Sequence, residues 1–386
     1  MKIVFRKDII CAAVTPLMSG VSTKMTMAAT EGILIEASLP NTCVMTTYDI
    51  EKGVRISIEA DVIEAGSAIV SASKFSQIVR VMDGGDITLT VDDRNCATIV
   101  SGRSSHTLTA LPAKDFPEIP RLISSQGFVA PQKTVRGMIA KCMYAMGVND
   151  QRPVLNGLFF SVSEGKLHTV SCDSFKMATC ATETDLMGLE GGEAVDSLRF
   201  ILPNKSVGEL YKLLDDKDED AIVTVYVSRK NIVFVMEDIT FFSKLIEGEY
   251  IDYNRIILRN HRILVYADRE SVISALEHAA LITEEKVAGS VRSHVRLEVT
   301  GNIMKISATS GTGSAYDEVA VGHEGEDLVI AFNNRYLIDS LRACQADRVK
   351  LSMSSPLSSI NIEPNDEDRC AADEDLFMLL PVRMKD

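Results

Sequence analysis

Apolar and polar positions in residues 68–91, AIVSASKFSQIVRVMDGGDITLTV, read as a strand, a short helix, a glycine turn and a second strand. The same order returns at 200–227, FILPNKSVGELYKLLDDKDEDAIVTVYV, and at 328–353, LVIAFNNRYLIDSLRACQADRVKLSM. In each helix a cation opens the first turn (Lys74, Lys205, Arg335) and an apolar anchor follows (Phe75, Val207, Leu337). A second cation lies five residues beyond each anchor (Arg80, Lys212, Arg342). The copies recur about 130 residues apart, a third of the 386-residue chain, so the pattern predicts a tandem array of three domain-sized units.

The segments between the copies complete three similar units. In the first, KIVF is a strand and 8–15 a short helix capped by Asp8 and stopped near Pro16. Residues 32–39, 43–50 and 54–63 are β-branched strands separated by PN and EKG turns, and CATIVSG with SHTLTAL closes the unit as a hairpin. The two prolines of 114–127 mark a linker. The second unit has a helix at 132–146 and a hairpin at 156–174. The third has a strand RILVYAD, a helix at 269–282, a hairpin at 294–310 and a final strand at 376–384. Strands with segregated helices, two short ones per unit, predict an α+β class rather than a doubly wound sheet.

Composition narrows the function. Hydrophobic residues are 46% and charged residues 24%, and no run approaches the length of a spanning helix, which predicts a soluble cytoplasmic protein with no membrane partner. Eight cysteines without a CxxC pair read as free structural thiols. The net charge of −14 argues against nucleic-acid binding through the whole surface, so any DNA contact must be local. No GxxxxGK[ST], HExxH or GxSxG motif is present, and the six histidines show no ligand spacing, which implies neither catalysis nor a metal or cofactor. SGTGSA at 310–315 follows a strand without opening a helix and reads as a loop. The acidic runs at 215–220 and 363–375 lack calcium-loop order and read as solvated loops.

Several stretches, in order, resemble the bacterial DNA polymerase sliding clamp family: GRSSHTLTALPAKDFPEIP, RPVLNG, HTVSCDSFKMA, SKLIEGEYIDY, FNNRYLIDSL and the ending LLPVRM. The resemblance covers essentially the whole chain. It implies three clamp domains, at 1–122, 128–255 and 260–386, forming half of a closed ring in a head-to-tail homodimer. Helices would line a central hole, with antiparallel sheets outside. The expected activity is tethering: the ring encircles duplex DNA without reading sequence and holds the replicative polymerase alpha subunit. The clamp loader, other polymerases and repair proteins would bind through short peptide motifs.

Residue by residue, the resemblance implies a basic lumen of Lys74, Arg80, Lys133, Arg136, Lys141, Lys205, Lys212, Arg335 and Arg342, with Lys24 and Asn149 on loops. It places His106 and Leu108 of one chain opposite Leu281 and Ile282 of another, with His106 where the family usually has an aromatic ring. A peptide pocket is implied from Leu155, Cys172, Ser174, Phe175, Lys176, Met177, Ile251, Arg255, Ile256, Ser359, Met378, Leu380, Pro381, Val382 and Arg383. Ser174, Lys176 and Ile251 depart from the family's usual Gly, Arg and Pro, and Lys385 and Asp386 extend past its usual last residue. The second functional reading is a carboxylate-dependent enzyme of an unrelated β-rich fold, using pairs such as Asp92 and Asp93.

Overall fold

The computed structural model describes the chain except residues 23–26, 121–125, 164, 184–186, 190–197, 284–293, 312, 367–373 and 385–386. Lys24, Lys385 and Asp386 therefore lie outside the described residues. The chain divides into two compact units: Met1–Lys133 with Met187–Val195 and Lys212–Leu245, and Thr134–Leu186 with Asp196–Tyr211 and Ile246–Asp386. The described α-helices are α1 (Lys7–Leu17), α2 (Ala72–Val81), α3 (Gln132–Cys142), α4 (Asn204–Leu213), α5 (Arg269–Thr283) and α6 (Asn334–Ala343). Among the described residues all strand pairs are antiparallel, and the α+β class read from the sequence holds. Among the described residues no helix is long and apolar enough to cross a membrane.

The first unit holds a five-stranded and a ten-stranded sheet. Helix α2 buries Ala72, Phe75, Ser76 and Val79, a spacing of three and four that makes one apolar stripe, and leaves Lys74 and Arg80 exposed. Helix α1 packs against it and buries Ile10, Ala13, Val14 and Leu17, with Cys11 Sγ 3.5 Å from the Val79 carbonyl. Asp8 does not cap α1: Arg6 occupies the cap position and Asp8 sits in the first turn. Pro16 lies inside the helix rather than ending it. It falls one residue before the helix end, where its missing N–H forgoes one bond, to the Ala12 carbonyl, and the Thr15 hydroxyl donates to the Cys11 carbonyl at 3.1 Å.

The expected single strand at 54–63 is two strands. Lys52–Glu59 belongs to the ten-stranded sheet and Asp61–Glu64 to the five-stranded one, with buried Ala60 at the crossing. Such corners are how one chain serves two sheets. The large sheet pairs Lys52–Glu59 with Ile239–Lys244, joining strands of the first repeat to strands of the second. Gly53 lies at that join opposite Phe242. A Cβ there would come within 2.4 Å of the Phe242 ring and 2.5 Å of the Thr47 carbonyl, so only glycine admits the ring.

The second unit holds a nine-stranded and a four-stranded sheet. Its large sheet pairs Lys176–Glu183 with Glu374–Leu379, again joining strands of two repeats, with Met177 opposite Met378. The middle repeat thus contributes strands to both units. Helix α3 ends at Cys142 and gives way to a 3-10 turn, Met143–Ala145, so it is shorter than the predicted 132–146. The last strand stops at Leu379 instead of continuing to 384, and 380–384 leave the sheet. Helix α6 is capped by Asn333, whose Oδ1 accepts from the Tyr336 amide at 3.2 Å, and Asn334 donates to the Leu276 carbonyl of α5 at 2.9 Å.

Candidate functional site

In the second unit, Leu155, Cys172, Met177 and Met378 form a buried apolar floor, joined by half-buried Val154, Tyr250, Ile251, Tyr253 and Ile257. Cys172 and Met177 face each other across one strand pair and Met177 and Met378 across the next, so register alone sets three of the four side by side. The turn beside the floor is fixed by Asp173. Its Oδ1 accepts from the amides of Phe175 at 2.7 Å and Lys176 at 2.8 Å, and its Oδ2 binds the Lys176 ammonium. This turn leaves Phe175 56% exposed, an unusual position for a large apolar ring.

Lys176 is buried, with its ammonium 4.6 Å from the centre of the Tyr336 ring, and the Phe175 ring lies 6.3 Å from the same tyrosine. The tail is strapped alongside: the Leu380 amide donates to the Phe175 carbonyl at 2.8 Å and the Val382 amide to the Ala331 carbonyl at 2.7 Å. Leu380, Val382 and Met384 remain exposed, as does Ile256. An apolar floor rimmed by exposed apolar side chains and backbone is suited to an extended peptide carrying apolar anchors.

The other residues named for the pocket divide by role. Ser174 accepts a hydrogen bond from Arg152 at 3.2 Å, and Arg152 is itself held by Asp150, whose carboxyl it keeps below the usual range. Ser359 is buried, Pro381 is half-buried, Arg255 is exposed and paired with Asp252 at 2.8 Å, and Arg383 is exposed. Tyr336, Tyr250 and Tyr253 were not among the expected residues. Two of them stand in the motif EYIDYNRI, where aromatic residues in a non-periodic connector are a signal that could have found them. Burial, and after it the charge of Asp173, pushes the Cys172 thiol up to about 11, so it is a neutral wall rather than a nucleophile.

Burial likewise raises Cys43 and Cys142 to about 12, while Cys11 and Cys96 are half-exposed. Iodoacetamide at pH 8 should therefore label Cys11 and Cys96 in the folded protein and spare Cys43, Cys142 and Cys172 until denaturant is added. Peptide mass spectrometry reads the result, and rapid labelling of Cys172 would mean that the floor is open.

The repeat helices place their anchors Phe75, Val207 and Leu337 in the core and expose Lys74, Arg80, Lys205, Lys212, Arg335 and Arg342. Arg80 donates to the Thr15 hydroxyl at 2.9 Å, Arg342 pairs with Glu277 at 2.5 Å, and Arg335 stands 4.0 Å from Asp339. The cations of α3 are more committed. Lys133 pairs with Glu219, and Arg136 donates to the Tyr211 carbonyl at 3.1 Å while lying over that ring. Lys141 binds the buried carboxylate of Asp375 at 2.9 Å, so its charge serves the protein's own sheet rather than an open face. Asn149 is exposed, with a positive φ of 57°.

His106 and Leu108 lie on Ser104–Thr109, an edge strand of the five-stranded sheet. Leu281 is 81% exposed near the end of α5, and Ile282 is half-buried beside Gly313. The edge strand Ser314–Ala320 packs against that helix.

Asp92 is engaged in a turn, its Oδ1 accepting from the amides of Arg94 at 2.9 Å and Cys96 at 2.8 Å. Asp215 and Asp218 also accept amides of their own loop. Among the described residues no cluster of His, Cys, Asp or Glu is arranged to hold a metal ion.

Three sequence models of one family match in order: the DNA polymerase III beta subunit N-terminal domain at residues 1–120, its central domain at 129–252 and its C-terminal domain at 254–376. The beta sliding clamp of Proteus mirabilis is 29% identical over all of both chains, and that of Haemophilus influenzae is 30% identical over 83% of each. Among solved structures, a putative DNA polymerase III beta subunit from Eubacterium rectale superposes with a TM-score of 0.90 at 26% identity, covering all of both chains.

Proposed function

Because the chain belongs to the DNA polymerase III beta subunit family, the bacterial sliding clamps, we propose that two copies close head to tail around duplex DNA and hold partner proteins by short peptide segments. It is a sliding clamp, a non-catalytic processivity subunit of the replicative polymerase. The observation that carries this reading is the match of three successive domain models, in order, along nearly the whole chain. We assign the clamp domains to 1–122, 128–255 and 260–386 and the site of action to the cytoplasm. The partners are the polymerase alpha subunit, the clamp loader, and other polymerases and repair proteins.

The apolar floor with Phe175 and the tail is the peptide pocket in this reading. The exposed helix cations are the DNA face, where phosphate contacts position the duplex without specifying sequence. Arg136 and Lys141 contribute least to that face, since both are engaged inside the protein.

Fluorescence anisotropy with a labelled Gln-Leu-containing peptide bearing a Phe anchor tests the pocket. Replacing Phe175 and Met177 together with Ala should abolish measurable binding, because losing a central apolar anchor costs on the order of 2 kcal/mol or more, about thirtyfold. Met177 is fully buried, so Phe175→Ala alone is the variant that leaves the core intact. Unchanged affinity in a folded double variant places the pocket elsewhere.

A further inference from the structure

Residues 250–261 connect the pocket to the strand Ile263–Asp268 and are held at two places. At one, Tyr250, Ile251, Tyr253 and Ile257 pack on the apolar floor. At the other, Asn361 Nδ2 donates to the Leu258 carbonyl at 2.9 Å, and His261 Nε2 lies 2.7 Å from the same oxygen. His261 Nδ1 is 3.3 Å from the Ser354 hydroxyl. Asn361 Nδ2 also lies 2.9 Å from His261 Nε2, and the Ser354 hydroxyl donates to the Asn260 carbonyl at 3.2 Å, so the amide, the imidazole and the hydroxyl form one polar cluster on the connector backbone. Under the segment lies a cavity of about 700 Å³, lined in part by His168, Thr179, Lys350 and Glu363. With a gap beneath part of it, the connector is held among the described residues by these two attachments, Tyr250 also stacking on the Phe159 ring at 4.9 Å.

Asn361 is 3% exposed, and its Oδ1 has no partner among the described residues. A buried acceptor left unsatisfied is destabilising, so a strand stabilised for its own sake would carry an apolar residue there. What the amide supplies is its nitrogen, and that nitrogen goes to the connector. Asn361 also stands directly opposite Met378 in the sheet, so the polar attachment and the pocket floor are cross-strand neighbours.

We propose that Asn361, with His261, is a positioning residue for partner binding: it clasps the connector so that Ile251, Tyr253 and Ile257 stand as the wall of the peptide pocket. The inference rests on the pocket reading above. Asn361 touches no peptide in this scheme; it acts through the wall.

The test uses the full chain with Asn361→Leu, which keeps the side-chain shape, removes the donor and removes the orphaned acceptor. The labelled Gln-Leu peptide should bind about tenfold more weakly, while the unfolding midpoint is unchanged or higher. Trypsin should cut faster at Arg255 and Arg259, both exposed in the connector, and at unchanged rates elsewhere. Asn361→Gln, which retains an amide donor, should recover most of the affinity. Wild-type affinity and wild-type cleavage in Asn361→Leu overturn the clasp, as does a loss of affinity that tracks a fall in the midpoint and is not recovered by glutamine. Phe175→Ala separates the two readings. If it weakens binding while Asn361→Leu does not, the clasp alone falls; if neither weakens binding, the pocket falls.

Discussion

Loaded by an ATP-driven clamp loader onto nicked circular DNA, the protein should remain with the circle through gel filtration at physiological salt and be lost within minutes once the circle is linearised. A chain of net charge −14 is not a general polyanion binder, and several of its helix cations are shared with local partners: Lys133 with Glu219, Arg342 with Glu277, Arg80 with Thr15. Each phosphate neutralised contributes roughly 0.9 to the salt slope of affinity. With about four contacts at a time, affinity falls on the order of a hundredfold between 50 and 200 mM salt, leaving little direct hold.

Retention in the proposed ring is therefore topological. Neutralising Lys74, Arg80, Lys205, Lys212, Arg335 and Arg342 should slow loading more than it shortens residence on circles, since attraction guides the encounter and closure prevents escape. Equal residence on linear DNA with free ends and on circles would sink the mechanism and leave an ordinary electrostatic binder.

Replacing Leu281 and Ile282 together with Asp should convert the proposed dimer into folded monomers. Leu281 is 81% exposed in the single chain, so its replacement costs the isolated fold little. In the dimer it would be covered, and an unpaired charge buried at a contact costs about 3 kcal/mol or more. A head-to-tail ring repeats the contact twice, so the loss doubles to about 6 kcal/mol, a weakening of the order of ten thousandfold. In the proposed dimer the facing surface would be the edge strand Ser104–Thr109, whose unpaired backbone suits continuation by another edge such as Ser314–Ala320. Light scattering at low micromolar concentration reads the mass, and far-ultraviolet circular dichroism checks the fold. An undiminished dimer mass refutes the assigned interface.

Periodicity within one element was legible because its cause is local. The three repeat helices, their buried anchors and their outward cations follow from a stripe spaced by three and four residues, which only the side chains of that helix determine. Hairpins with glycine or polar turns were legible for the same reason. The family resemblance supplied the names of pocket residues, and Leu155, Cys172, Met177, Ile251 and Met378 do fall in one cluster.

What neighbours in space decide could not be read in the same way. The strand expected at 54–63 breaks at Ala60 because its two halves pair with different sheets, and the tail leaves the sheet after Leu379 because its amides bond to Phe175 and Ala331. Lys141 has the spacing of an exposed helix cation, yet it meets Asp375 far along the chain and becomes part of the fold.

By itself, then, the sequence determined the repeat, the element types, the class and the family, since these rest on short-range sterics, periodic burial and matched motifs. Only the tertiary structure decided which strands of the middle repeat join which sheet, which cations stay outward and how Asn361 reaches Leu258. Those outcomes depend on pairing between residues distant in the chain, and a side chain's chemistry does not say which distant partner will satisfy it.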